Sequence, residues 1–352
     1  MENIKNRNYG IDLLRLVSMF LVCLRHTLSQ GSAIAVSSGT SNAIYTFLFI
    51  LTCPAVDCFA IISGYFATNS KPKYEKIIKM WLQVLFYSFG ISLAINILRI
   101  IFSSPEGFEV SEVVSGLFPL LTHKYWYFSA YFVLFFFMPF LNKAFCDLNK
   151  EESKKFLFVL FLLMIVMYAF RGAANHDFLS EGRSAFWLIL MYILGILINK
   201  TELLKNVNKY ILLIIFVVLS IVSFIFQYYL KLNLSANVFP LYWLSAIVLV
   251  ALFGKTNPNK KIVSFLSPLS FGVFLLHQHY YFRYYFLSER FINYAEINSV
   301  KGIVLVVATS VFIFVCGLII DYIRTVIFKY LNIDKISKKL LSFVDKIVSS
   351  II

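Results

Sequence analysis

The chain has 352 residues, of which 60% are hydrophobic, 18% aromatic and only 14% charged. A soluble domain carries about 25% charged residues, so this composition leaves no room for a large soluble domain and describes a protein that crosses a membrane many times. The net charge of +14 lies in short clusters between apolar runs, which is the pattern of inner loops in a helical membrane protein and argues against nucleic acid as a partner.

Ten apolar segments are predicted, at 11–30, 45–67, 77–102, 125–144, 156–171, 184–199, 209–230, 237–254, 265–286 and 301–321. The expected fold class is all-α: a polytopic transmembrane helix bundle of about ten spans. The first segment follows MENIKNRNYG and resembles a signal peptide, with Ala33-Ile34-Ala35 as a cleavage-like site. Because the run carries Asp12, Arg15 and His26 and is followed by further spans, it is expected to be a retained first span. Ionisable groups are costly in hydrocarbon and mark functional sites by default. Arg15 and His26 are separated by close to three helical turns and share one face, roughly 16 Å apart along the axis. Asp12, Ser18 and Ser29 fall near the same stripe, so this face is expected to line a bundle interior or a wet cavity.

The loops between the segments set the orientation. With Lys5 and Arg7 inside, alternate loops hold Lys71, Lys73 and Lys76; Lys150, Lys154 and Lys155; Lys200 and Lys205; and Lys255, Lys260 and Lys261. The opposite loops hold only Lys124, Arg183, Lys231 and Arg290. Both termini are therefore expected in the cytoplasm. All five histidines (26, 123, 176, 277 and 279) then lie toward the outer side, while Arg15 lies toward the inner side. The tail after Asp321 reads either as a basic amphipathic helix on the inner membrane surface or as a solvated positive end. Five cysteines show no disulfide or zinc spacing, and no metal set emerges.

In order along the chain, these residues resemble the membrane acyltransferase-3 family. Asp12-Leu13-Leu14-Arg15 and His26 match its D-G-L-R start with His at R-x10-H spacing, with Leu13 where Gly is usual. Phe59 to Phe66, FAIISGYF, is similar to an F-x-x-x-S-G-F-F stretch. Lys76 and Lys79 stand where the family often has Arg-x-x-Arg, which keeps the charge but loses the bidentate fork. Tyr125 to Ser129, running to Pro139, resembles a W-F-L-S…P segment, and Leu269 to His277 resembles S-Y-x-I-Y-L-x-H. Asp321 and Arg324 resemble the family's closing acidic-basic pair. The resemblance implies an acyltransferase-3-like transmembrane domain over 1–322 and a cytoplasmic basic tail over 323–352. It further implies transfer of an acyl group, usually acetyl, from cytoplasmic acyl-CoA to a hydroxyl of an extracytoplasmic glycan or lipid-linked precursor. Acetyl-CoA would be a co-substrate, and no permanently bound cofactor is expected. Since the chain ends soon after span ten, transfer is expected to be direct or to use a separate partner.

Each candidate residue has a plainer alternative. His26, a base poised near neutral pH, is the expected catalytic residue, either activating the acceptor or carrying the acyl group; otherwise it is a bundle histidine bonded to Ser or a carbonyl. Arg15 either holds an anionic group of CoA or simply pairs with Asp12, its orienter. Lys76 and Lys79 meet the adenosine phosphates or only set topology. Ser63 lies at a substrate-binding or close-packing position beside Gly64. Trp126 and Tyr127 stack on sugar or belong to an interfacial aromatic belt. His277 is expected to be a site residue. A glycan or lipid exporter is the alternative function, although no paired broken helices of a transporter repeat are evident.

Overall fold

The computed structural model describes residues 7–69, 72–170, 180–232, 237–295, 297 and 299–351; Lys5, Lys71 and His176 lie outside them. Among the described residues the regular structure is helical throughout, without strands. Helix α1 (Tyr9–Ser29) starts where Asn8 accepts hydrogen bonds from the amides of Gly10 and Ile11. A break at Cys53–Pro54, where proline has no amide to donate, divides the second segment into α2 (Gly39–Thr52) and α3 (Ala55–Tyr65). α4 (Tyr74–Leu85) continues through a π-helical turn (Phe86–Ile91) into α5 (Ser92–Ile101). Short α6 (Val110–Leu117) precedes α7 (Trp126–Phe145), α8 (Lys150–Ala169) and α9 (Ala185–Thr201). α10 (Lys209–Phe224), with a π turn at Ile225–Tyr229, is followed by α11 (Pro240–Gly254). α12 (Lys260–Leu266) leads into α13 (Ser270–His277), and α14 (Tyr280–Phe282) follows. α15 (Ser299–Tyr330) and α16 (Ile333–Ile351) complete the chain.

Each of the ten apolar segments coincides with helix in the structure. Five of these stretches are long and apolar enough to cross a membrane: α2–α3, α4–α5, α7, α10 with its π turn, and α15. A sixth is the pair formed by residues 260–277 and 280–287, which bends by 68°. The others depart for visible reasons: α1 and α8 carry charges, and α9 and α11 span only 17 and 15 residues. The exterior is apolar. Phe158, Val159, Ile214, Val218, Val304 and Phe312 are all half or more exposed, a surface suited to lipid rather than water. The 322/323 boundary falls inside α15, which runs unbroken to Tyr330.

α1 is the central helix, packing against α2, α3, α11, α12, α13 and α15. One core joins Ile61, Leu134, Trp187, Leu194 and Ile247 from α3, α7, α9 and α11. The other joins Val22, Ile50, Val273 and Val306 from α1, α2, α13 and α15. Met80 and Tyr127 pack against both. The tightest crossing is between α3 and α9. A Cβ added at Gly64 would lie 1.9 Å from the Tyr192 carbonyl oxygen, and one at Gly195 would lie 2.1 Å from that of Ile61. Small residues permit such backbone contact between membrane helices. α15 is held to α4 and to the π-helical turn after it by buried Asp321, which accepts from Gln83 Nε2 and Tyr87 OH at 3.0 Å each and pairs with Arg324 at 2.7 Å.

Candidate active site

The centre of the site is a pair of histidines brought together from opposite ends of the chain. His26, in the last turn of α1, has Nδ1 2.8 Å from Nε2 of His277, the last residue of α13. His277 is 1% exposed, and its Nδ1 lies 2.6 Å from the carbonyl oxygen of Val273. A carbonyl only accepts, so His277 Nδ1 carries a proton and neutral His277 offers Nε2 as an acceptor. His26 Nδ1 is then the donor to it, and His26 Nε2 is left with the lone pair; the hydrogen-bond network assigns this tautomer. Nε2 of Gln278, the α13 C-cap, is also 2.8 Å from His26 Nδ1, and because an amide nitrogen only donates, the assigned tautomer requires this amide to be flipped so that its oxygen accepts from the same proton.

His26 lines a cavity of about 610 Å³. Its α1 wall is made by Arg15, Met19, Val22 and His26, at intervals of four, three and four residues, so that one helical face is presented to it. Ser29 continues this wall, whereas Ser18 is buried elsewhere. Arg15 donates from Nη1 to Asp12 Oδ1 at 2.5 Å, and Arg7 Nε meets the other carboxylate oxygen at 2.6 Å. Asp12 is 4% exposed and stands behind Arg15, outside the cavity lining. It restrains Arg15 by one arm and leaves the remaining guanidinium donors directed elsewhere.

Ser63, Trp126 and Tyr127 line the opposite walls. Ser63 Oγ donates back to the Phe59 carbonyl at 2.9 Å, as membrane-helix serines commonly do. The Tyr127 ring stacks on Tyr131 at 6.3 Å, and its hydroxyl is enclosed without a hydrogen-bond partner among the described residues. A buried hydroxyl of that kind favours a polar ligand atom. Lys76 and Lys79 do not line the cavity. Lys79 pairs with Glu75 at 2.8 Å and with Asp334 of α16 at 2.7 Å. Lys76 is exposed one helical turn before Met80, which does line it. His123 is exposed in a loop, and buried His279 turns instead toward Ser92 Oγ, 3.2 Å away.

Reasoning from sequence passed over Arg25, Asn237, Tyr131 and Gln278, all of which line the cavity. Arg25 Nη1 donates to Asn237 Oδ1 at 2.8 Å and its guanidinium lies 5.0 Å from the centre of the Phe49 ring. As an extra charge in an apolar segment it had the same signal as Arg15. Among the described residues no group of three or more His, Cys, Asp or Glu is placed to hold a metal ion.

The model of an acyltransferase domain matches residues 8–322, nearly the whole chain. The chain belongs to the acyltransferase-3 family. Neither the curated proteins nor the solved structures gave a match. The apolar helices and the family together make the chain a multi-pass membrane acyltransferase.

Proposed function

We propose that this acyltransferase moves an acyl group, most simply acetyl, from cytoplasmic acyl-CoA to a hydroxyl of an extracytoplasmic glycan or lipid-linked glycan precursor. In this reading all ten helical segments span the cell membrane, with both termini in the cytoplasm. The observation that carries the proposal is the shared cavity wall of Arg15 and His26, backed by the His26–His277–Val273 chain of hydrogen bonds. The thioester reaches the cavity from the Arg15 end, and the adenosine phosphates meet the basic inner face near Lys76. The acceptor hydroxyl approaches from the His26 end. Its oxygen attacks the thioester carbonyl carbon as its proton passes to His26 Nε2; the C–S bond then breaks and the proton leaves with the CoA thiol. His277 holds the imidazole in the required tautomer and faces the developing imidazolium with a lone pair. Tyr127 OH is available in the same cavity as a donor for the carbonyl oxygen or a sugar hydroxyl, Ser63 Oγ, with its proton held by the Phe59 carbonyl, as an acceptor for a sugar hydroxyl, and Trp126 offers an aromatic face to the sugar ring.

The test is thiol release from acetyl-CoA by the purified protein in lipid, with crude surface glycan as acceptor. Wild type should release thiol only when acceptor is present, and His26→Ala should lose about 10²–10⁴-fold in rate. Equal release by both proteins would remove His26 from the chemistry. Transport of a glycan by His26→Ala without thiol release would favour an exporter.

A further inference from the structure

The charges around the cavity are one-sided. Among the described residues that line it are four arginines, at 15, 25, 183 and 283, and no aspartate or glutamate. Arg15, at one end, has its acid in Asp12. The other three gather at the opposite end, where Arg25, Arg183 and Arg283 each act electrostatically on the His26 ring. Three different elements deliver them: α1, the loop before α9, and the π-helical turn Arg283–Leu287 after α14. The loop is pinned, because the amide of Asn237 donates to the Glu181 carbonyl at 2.9 Å and Gly182, at φ +82°, packs against Asn237. Arg25 and Asn237 are joined by a hydrogen bond of 2.8 Å, so loop and helix hold one geometry. Arg183 pairs with Glu181 at 2.7 Å, but both side chains are about half exposed, and a pair of that kind holds too weakly to exclude a competing anion.

A low-dielectric cleft lined by charge of one sign concentrates ligands of the other sign. Guanidinium groups match carboxylates and phosphates with paired donors. We infer that the acceptor is an anionic glycan, whose carboxylate or phosphate is seated by Arg25, Arg183 and Arg283 so that a neighbouring hydroxyl lies against His26. This rests on the acyl-transfer reading for the hydroxyl, but the anion site itself is a statement about binding.

Equilibrium binding to the full-length protein in lipid nanodiscs separates the two. The probes are an oligogalacturonate, its carboxyl-reduced neutral counterpart and a glycerol phosphate oligomer. At low salt at least one anionic probe should bind about tenfold or more tightly than the neutral one, as expected when charge-assisted hydrogen bonds are added. The preferred probe tells carboxylate from phosphate. Arg183→Gln and Arg283→Gln, both at exposed positions, should each erode that preference while leaving neutral binding unchanged. Equal binding of all three probes, binding of none, or a preference untouched in both variants would overturn the inference. Thiol release from acetyl-CoA, followed in the same samples, reports on the transfer reading. Anion-selective binding without release from any acceptor keeps the anion site and overturns transfer. Release with equal kcat/KM for neutral and anionic probes keeps transfer and overturns the anion site.

Discussion

At the scale of the residue, the site turns on one nitrogen. His26 Nε2 keeps its lone pair because His277 is tied to the Val273 carbonyl and accepts a hydrogen bond from His26 Nδ1. In the proposed mechanism His277 is a positioning residue. His277→Ala should lower kcat by about tenfold or more while leaving KM for acetyl-CoA unchanged, and should alter the pH–rate profile through His26. A change confined to KM would make His277 part of donor binding instead. Arg15 and His26 were legible in the sequence because charge within an apolar segment is costly, and helical spacing alone places both on one face. Gln278 and Asn237 were not legible. Neutral amides carry no such cost signal, and they reach His26 and Arg25 only through contacts across more than two hundred residues of chain.

At the scale of the element, small residues and breaks decide how the site is assembled. Gly64→Leu should destabilise the protein by about 1–3 kcal/mol, because the added atoms meet the backbone carbonyl of Tyr192 rather than a movable side chain. Gly90→Ala, where a Cβ meets nothing within 4 Å, should be nearly neutral. Thermal unfolding of both variants in one detergent tests the contrast. Helix positions were largely evident from apolar run length. The sharpest departure is the ninth segment, expected as one helix over 265–286 but turned by 68° after His277. His279 adopts extended backbone at the turn, with neither Pro nor Gly in the break to signal it. The bend ends α13 at the histidine that faces His26, and interrupted membrane helices of this type are tolerated where they line a cavity. The tail forms a helix, as one of its two readings expected. α16 docks on α4 through Asp334, whose carboxyl is held below the ordinary range by Lys79. A depressed carboxylate contributes above its unfolded pKa and loses that contribution as pH falls through the folded value. Protection of α16 from protease should therefore persist at neutral pH and fall only below about pH 3.9, the ordinary Asp value. Lys79→Ala should remove this pH dependence while loosening the tail only slightly, because the Asp334 side chain is 77% exposed.

At the scale of the whole molecule, α1 is enclosed by six other helices and carries Arg15 and Arg25 on the wall of a cavity rather than toward lipid. In the proposed reaction, the apolar exterior and the polar interior face let donor and acceptor meet without either crossing. The most direct test is sided transfer in proteoliposomes of uniform orientation. Radiolabelled acetyl-CoA is sealed on the side of the chain termini, and glycan acceptor is supplied only on the other side. The account predicts label on the outer glycan and free CoA retained within, with both signals lost in His26→Ala. Label transfer only when donor and acceptor share one side, or transfer that survives in His26→Ala, would contradict it.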